Sequence, residues 1–163
     1  MRVVNDFTFS DKGQEKDETI ALGMTRITDN LYFGGEDDID DVLSFIDVLV
    51  DLRHENQFNR IIPVPRNITY VRIPIEDGDI ERAYSVFSKA KIIINTAIFL
   101  SEKVAVICNA GVSRSTVLVW WILAEWCGDP NSAYGHLKTL RPVIKIDERF
   151  YPFIRKYIYK KGA

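Results

Sequence analysis

Five residues separate a cysteine, Cys108, from an arginine, Arg114, in the run VAVICNAGVSRS at positions 104–115. The apolar residues before Cys108 read as a short buried strand, and the apolar pattern from Arg114 onward reads as a helix. Ligands of open α/β sheets bind at the carboxyl ends of strands. A loop passing from such a strand into a helix gathers backbone N–H groups and the positive end of the helix dipole, which together bind a phosphate dianion. Five residues suffice to wrap one tetrahedral oxyanion, with Gly111 free to take angles closed to other residues. The planar fork of Arg114 can grip two phosphate oxygens. The same field favours an anionic sulfur, and a thiolate beneath a phosphorus atom is a nucleophile for in-line attack. As ordinary residues, Cys108 would be a buried strand-end thiol and Arg114 a plain helix arginine. The central glycine, the serine after the arginine and the strand–loop–helix setting favour the phosphate reading.

These residues need elements to hold them. Val3–Phe9 suggests a short strand and Ser10–Thr19 a polar linker, so residues 1–23 read as a partly flexible arm before a domain at 24–163. Ile27–Phe33 reads as a strand ending in a turn at Gly34-Gly35, Asp37–Ser44 as a helix with acids at its start, and Phe45–Leu52 as a buried strand. The two prolines of 55–67 imply a loop around a short helix. Ile68–Ile73 is strand-like, 74–79 is a loop, and Asp79 is placed to cap a long helix over Ile80–Leu100. Further helices are expected over Arg114–Trp126, closed by Gly128, and over Asn131–Leu140 and Asp147–Tyr159. Strands alternating with helices imply an α/β fold with a central, mostly parallel sheet flanked by helices.

Of the 163 residues, 47% are hydrophobic and 27% charged, with a net charge of −2. That length can bury a core without staples, and that charge gives no general pull toward nucleic acid or anionic membrane. The two cysteines, Cys108 and Cys127, form neither a C-x-x-C pair nor a metal-ligand cluster. No apolar run reaches membrane-spanning length, and the expected setting is the reducing cytoplasm.

Residues 108–115 resemble the phosphate-binding loop of the cysteine-based protein tyrosine phosphatases, and AGVSRS at 110–115 is similar to the dual-specificity branch in particular. The resemblance extends from Met24 to Tyr159. MTRITDNLYFGG at 24–35 is similar to that family's opening strand, RIPIED at 72–77 to its general-acid loop, and Arg141, Pro142 and Phe150 to its closing helices. It implies a phosphoprotein phosphatase that acts on phosphotyrosine and phosphoserine/threonine through a phosphocysteine, with no cofactor or metal. Cys108 would be the nucleophile and Arg114 the clamp. Asn109, Ala110, Gly111, Val112, Ser113 and Arg114 would bind phosphate through the backbone. Asp77 would be the general acid, with Glu76 and Asp79 close enough to compete, and Ser115 would donate to the departing thiolate. The family usually has histidine before the nucleophile, where this chain has Ile107.

Other residues carry less. His54 reads as a loop histidine, His136 as a surface group, and Trp120-Trp121 as core or partner surface. Cys127 lies about 19 Å along the helix axis from the loop at 1.5 Å per residue, too far for a resolving thiol. Arg53, Arg66 and Arg72 could rim the pocket or be solvated. The expected partners are phosphoproteins or phosphopeptides, not nucleic acid or membrane, met by a monomer. The loop lacks lysine, which argues against highly phosphorylated inositol heads. An RNA triphosphatase and a phosphopeptide-binding module are the competing functions.

Overall fold

The computed structural model describes residues 23–54 and 60–160, so the strand and linker expected within 1–22 lie outside the described residues. Five strands form one sheet: β1 (Thr25–Thr28), β2 (Leu31–Gly35), β3 (Val48–Asp51), β4 (Thr69–Arg72) and β5 (Val104–Cys108). Their order is β1-β2-β5-β3-β4, with β1 antiparallel to β2 and the other three pairings parallel. The longest helices are α1 (Ile80–Phe99), α2 (Arg114–Cys127) and α3 (Pro130–Leu140).

β5 lies at the centre, and all five of its residues are buried. Val104, Val106 and Cys108 join the larger core, which includes α1, α2 and the closing helix. Ala105 and Ile107 join a second cluster with Tyr32, Ile39, Ile46, Leu49, Ile62 and Ile68. Alternation along the strand therefore sends Cys108 to one face and Ile107 to the other. Every residue of α2 from Arg114 to Ala124 is buried, so this helix is core, including Trp120 and Trp121. Trp120 Nε1 donates to Pro130 O at 2.8 Å, and Lys91 Nζ lies 3.6 Å from the centre of a Trp121 ring. Gly128 ends α2 in the left-handed conformation, at φ 75°.

Several local expectations change. The strand expected over Ile27–Phe33 is two strands broken by a turn at 29–30, where Asn30 N donates to Thr28 Oγ1. Gly34 and Gly35 are not a turn but the end of β2, paired with Ile107 and Cys108. Of the loop and short helix expected over 55–67, residues 60–67 contain no helix and residues 55–59 lie outside the described residues. The closing segment changes its winding, from 3-10 over Glu148–Phe150 to α over Tyr151–Phe153 and π over Ile154–Ile158.

Candidate active site

β5 delivers Cys108 to its carboxyl end at 2% exposure. The loop that follows has its carbonyls tied from outside. Asn109 O accepts from Glu36 N at 2.9 Å, and Val112 O from Lys145 N at 2.8 Å. Ala110 O and Gly111 O both accept from Arg141, at 3.4 and 2.7 Å. Turning successive carbonyls outward turns the alternate N–H groups toward the centre of the loop, which makes an anion-binding nest. Gly111 sits at φ 74°, and a Cβ there would lie 2.4 Å from backbone atoms of Gly34 and Gly35. Only glycine fits that approach. Arg141 is 2% exposed, and it also binds Asp38, Gly23 O and Thr25. It braces the loop from behind.

Arg114 opens α2 and folds back. Its Nη1 donates to Ile75 O at 2.9 Å and its Nη2 to Asn109 Oδ1 at 2.7 Å. Ser115 Oγ lies 3.2 Å from Cys108 Sγ, and Ser115 N donates to the same sulfur at 3.5 Å. A strand-end thiol and a helix-start hydroxyl are thus in contact inside the core, with Gly34 O as the hydroxyl's other neighbour at 3.5 Å.

Folding brings the upstream acid loop to this cradle. Ser113 Oγ donates to Asp77 Oδ1 at 2.6 Å and accepts from Asp147 N at 2.9 Å. Ser113 precedes α2 as its cap residue, yet its side chain makes no cap bond. The hydroxyl is committed to Asp77 instead. Arg149 Nη2 donates to Asp77 O at 3.1 Å. Glu76 is exposed. Asp79 caps α1 as expected, accepting from Arg82 N at 3.2 Å. Of the three candidate acids, Asp77 is the one bonded to the phosphate loop.

Arg53 neither rims the pocket nor is solvated; it is buried at 1% exposure. Its guanidinium binds Asp51 Oδ2 at 2.8 Å and Glu36 Oε1 at 2.8 Å. Burial pushes that guanidinium down, but the hydrogen bonds to Asp51 and Glu36 outweigh it and hold it above its ordinary value. Tyr70 donates to Asp51, and its phenol is pushed up to about 12, first by burial and then by that bond. Arg72 donates to Arg53 O, whereas Arg66 is exposed. Sequence reading missed Glu36 and Asp51 as members of this network, and Arg141 as the brace of the loop. The signal present in the chain was an acid directly after Gly34-Gly35 and an Asp-x-Arg at a strand end. His136 is half-buried, and burial lowers its pKa. Both cysteines are free thiols. A cavity of 880 Å³ between α3 and the closing helix, lined by Tyr134, Ile144 and Ile154, includes neither Cys108 nor Arg114. Among the described residues no cluster of His, Cys, Asp or Glu is arranged for a metal, and no helix is long and apolar enough to cross a membrane.

A mostly parallel sheet that ends its central strand in a thiol, followed by a loop and an arginine-led helix, is the architecture of the cysteine-based tyrosine-phosphatase superfamily. Within it, this chain belongs to the dual-specificity phosphatase family: residues 31–159 match that family's catalytic domain. It is 29% identical to mouse dual specificity protein phosphatase 8 (Mus musculus) over 84% of this chain and 21% of that protein. It is 26% identical to tyrosine-protein phosphatase vhp-1 of Caenorhabditis elegans over 83% of this chain and 21% of that one. The chain thus spans about a fifth of the length of these curated relatives. The protein named "Putative tyrosine phosphatase 123R" of Invertebrate iridescent virus 6 is 31% identical over 74% of this chain and 81% of its own length. Among solved structures, human tyrosine phosphatase-like serine/threonine/tyrosine-interacting protein superposes with a TM-score of 0.72 at 22% identity, covering 88% of this chain and all of that one. DUSP15 gives 0.69 at 22%, covering 88% and 99%. These structural likenesses establish the fold.

Proposed function

We propose that this chain hydrolyses phosphotyrosine and phosphoserine/threonine monoesters of proteins through a phosphocysteine, as a cytoplasmic monomer that requires no metal. The contact that carries this reading is the 2.6 Å bond between Ser113 and Asp77, which joins a carboxyl group to the loop that ends at Arg114. In the first step Cys108 Sγ attacks phosphorus as a thiolate, the P–O bond breaks, and Asp77 gives its proton to the leaving oxygen. Backbone N–H groups of 109–114 and the Arg114 fork hold the three equatorial oxygens. In the second step Asp77, now a carboxylate, takes a proton from water. The water oxygen attacks phosphorus, and the P–S bond breaks to release inorganic phosphate. Ser115 Oγ, 3.2 Å from the sulfur, donates to the thiolate that leaves. No long insertion lies between β1 and the acid loop to wall a deep pocket, which favours entry of short phosphoserine as well as phosphotyrosine.

Matched phosphotyrosine and phosphothreonine peptides, with and without chelator, test the proposal. Both should be hydrolysed under either condition. Cys108→Ser should abolish turnover and keep vanadate binding. Phosphopeptide binding by the parent protein without turnover would make it a binding module instead.

A further inference from the structure

The buried charges beside the cradle form a chain of alternating sign that ends on the phosphate clamp. Asp51 binds Arg53, and Arg53 Nη1 binds Glu36 Oε1 at 2.8 Å, with both of the latter side chains buried. Glu36 meets Asn109 twice: its N–H donates to Asn109 O at 2.9 Å, and its Oε1 accepts from Asn109 Nδ2 at 3.4 Å. Asn109 Oδ1 then accepts from Arg114 Nη2 at 2.7 Å. The carboxylate on one side and the guanidinium on the other fix the orientation of the amide, nitrogen toward Glu36 and oxygen toward Arg114. The second anchor of Arg114 is Ile75 O, two residues before Asp77. Contacts from the phosphate loop and from the acid loop thus both aim the guanidinium.

Taking Arg114 as the phosphate clamp proposed above, we propose that Glu36, itself held by Arg53, is a positioning residue for catalysis: through the amide of Asn109 it sets the direction of the Arg114 fork. The chemistry demands an amide at position 109. A carboxylate there would face the Glu36 carboxylate, and an aliphatic side chain would give Arg114 no acceptor. Glu36 needs its charge to remain an acceptor for Arg53 and Asn109 together. A small error in the direction of the fork weakens its hold on the equatorial oxygens, whose charge is greatest in the transition state, so kcat suffers more than KM.

The test is an exchange of donor and acceptor. Glu36→Gln and Asn109→Asp are made singly and together, and read by turnover of p-nitrophenyl phosphate, by calorimetric orthovanadate affinity and by thermal melting. Each single variant should lose roughly 10- to 100-fold in kcat, with KM changed less than about threefold, and should bind vanadate more weakly. In the double variant the new amide at position 36 donates to the new carboxylate at position 109, whose other oxygen accepts from Arg114. Its kcat should exceed that of Asn109→Asp alone by about tenfold. A purely structural role for Glu36 gives no such recovery. Single variants with parental kcat and vanadate affinity, or losses that multiply in the double variant, overturn the proposal. Should Glu36→Gln fail to fold, Asn109→Leu at its half-buried loop position takes its place: it should show the same kcat loss, and parental turnover there is equally fatal. A parent protein that binds vanadate without turnover refutes the phosphatase reading, while the vanadate affinities of the variants still decide the role of Glu36.

Discussion

Removing one hydroxyl should separate the acid from the cradle. In Ser113→Ala the loop keeps its backbone N–H groups, and only Oγ is lost. That oxygen donates to Asp77 Oδ1 at 2.6 Å and accepts from Asp147 N at 2.9 Å. A hydrogen bond between neutral groups, here a hydroxyl and a protonated carboxyl, contributes about 0.5–1.5 kcal/mol. If that energy goes into holding Asp77 so that its second oxygen carries the proton, its loss corresponds to roughly 2- to 13-fold in rate at about 1.36 kcal/mol per decade. The loss should depend on the leaving group. A phenolate from phenyl phosphate is basic and needs the proton, whereas p-nitrophenolate leaves nearly unaided. Values of kcat/KM for Ser113→Ala should fall roughly 2- to 13-fold on phenyl phosphate and stay near the parental value on the nitrophenyl ester. Made in an Asp77→Asn background, the same change should cost little more, because both changes remove one function. The Asp147 N–H loses its acceptor as well, so the melting temperature should drop, and the assay must run well below it. Equal losses on the two esters, or losses that multiply in the double variant, would refute the latch.

Gly111→Ala should be worse than a routine loop substitution. The left-handed φ of 74° costs an alanine about 1–2 kcal/mol, and the Cβ meets fixed backbone at 2.4 Å. Denaturant unfolding should show a loss of roughly 3 kcal/mol or more, together with loss of vanadate binding; parental values for both would contradict the close approach of the loop to β2. The Asp147 carboxyl is held below its ordinary range by its hydrogen bond from the Arg149 side chain, with burial opposing it and the Arg149 backbone N–H adding to it. A depressed folded pKa gives stability above the ordinary aspartate range, lost as pH falls through the folded value. Asp147→Asn should therefore lower the melting temperature at neutral pH and flatten its decline on the acid limb; an unchanged acid limb would speak against the pair. Asp79→Asn should weaken the cap of α1, by about 1 kcal/mol or less, without a leaving-group-dependent rate loss; such a loss would move the acid assignment from Asp77 to Asp79.

Local signals were legible wherever the chain settles its own conformation. The apolar run of β5, the helical spacing and Asp79 cap of α1, and the glycine stop of α2 appear as read. The close sequence spacing of Cys108, Gly111, Arg114 and Ser115 survives folding as one loop. What the sequence hid depends on partners far along the chain. Gly34 and Gly35 look like a turn in isolation. They are strand residues because β5 pairs with them, and a Cβ on Gly35 would meet the backbone of Asn109 and Ala110 at 2.7 Å. Ser113 has the usual look of a helix cap, but a carboxyl 36 positions upstream takes its hydroxyl. Arg53 reads equally as a pocket-rim or a solvated residue, and Arg141 only as part of the closing helices. Each is buried because acids and loop carbonyls from distant segments meet it with enough bonds to offset desolvation.

Ile107, where the family resemblance implies histidine, is next to Cys108 in sequence but across the sheet from it in space. Its side chain packs in the second apolar cluster, among Leu49, Ile62 and Ile68, while Cys108 faces the core of α1 and α2. The register partner of Ile107 on β3 is Asp51, whose carboxylate is already engaged by Arg53 and Tyr70. Isoleucine asks nothing further of that carboxylate, and the backbone of residue 107 ties the end of β5 on both sides: its carbonyl accepts from Leu52 N at 2.9 Å, and the residue pairs with Gly34 in β2. The polar work of shaping the cysteine loop falls to other groups. Glu36 holds the start of the loop, Arg141 its middle, and the Lys145 N–H and Ser113 hydroxyl its end. The thiol at position 108 is thus anchored by a hydrophobic rivet beneath and flanked by a loop that charged side chains hold, and Ile107 itself points away from the sulfur.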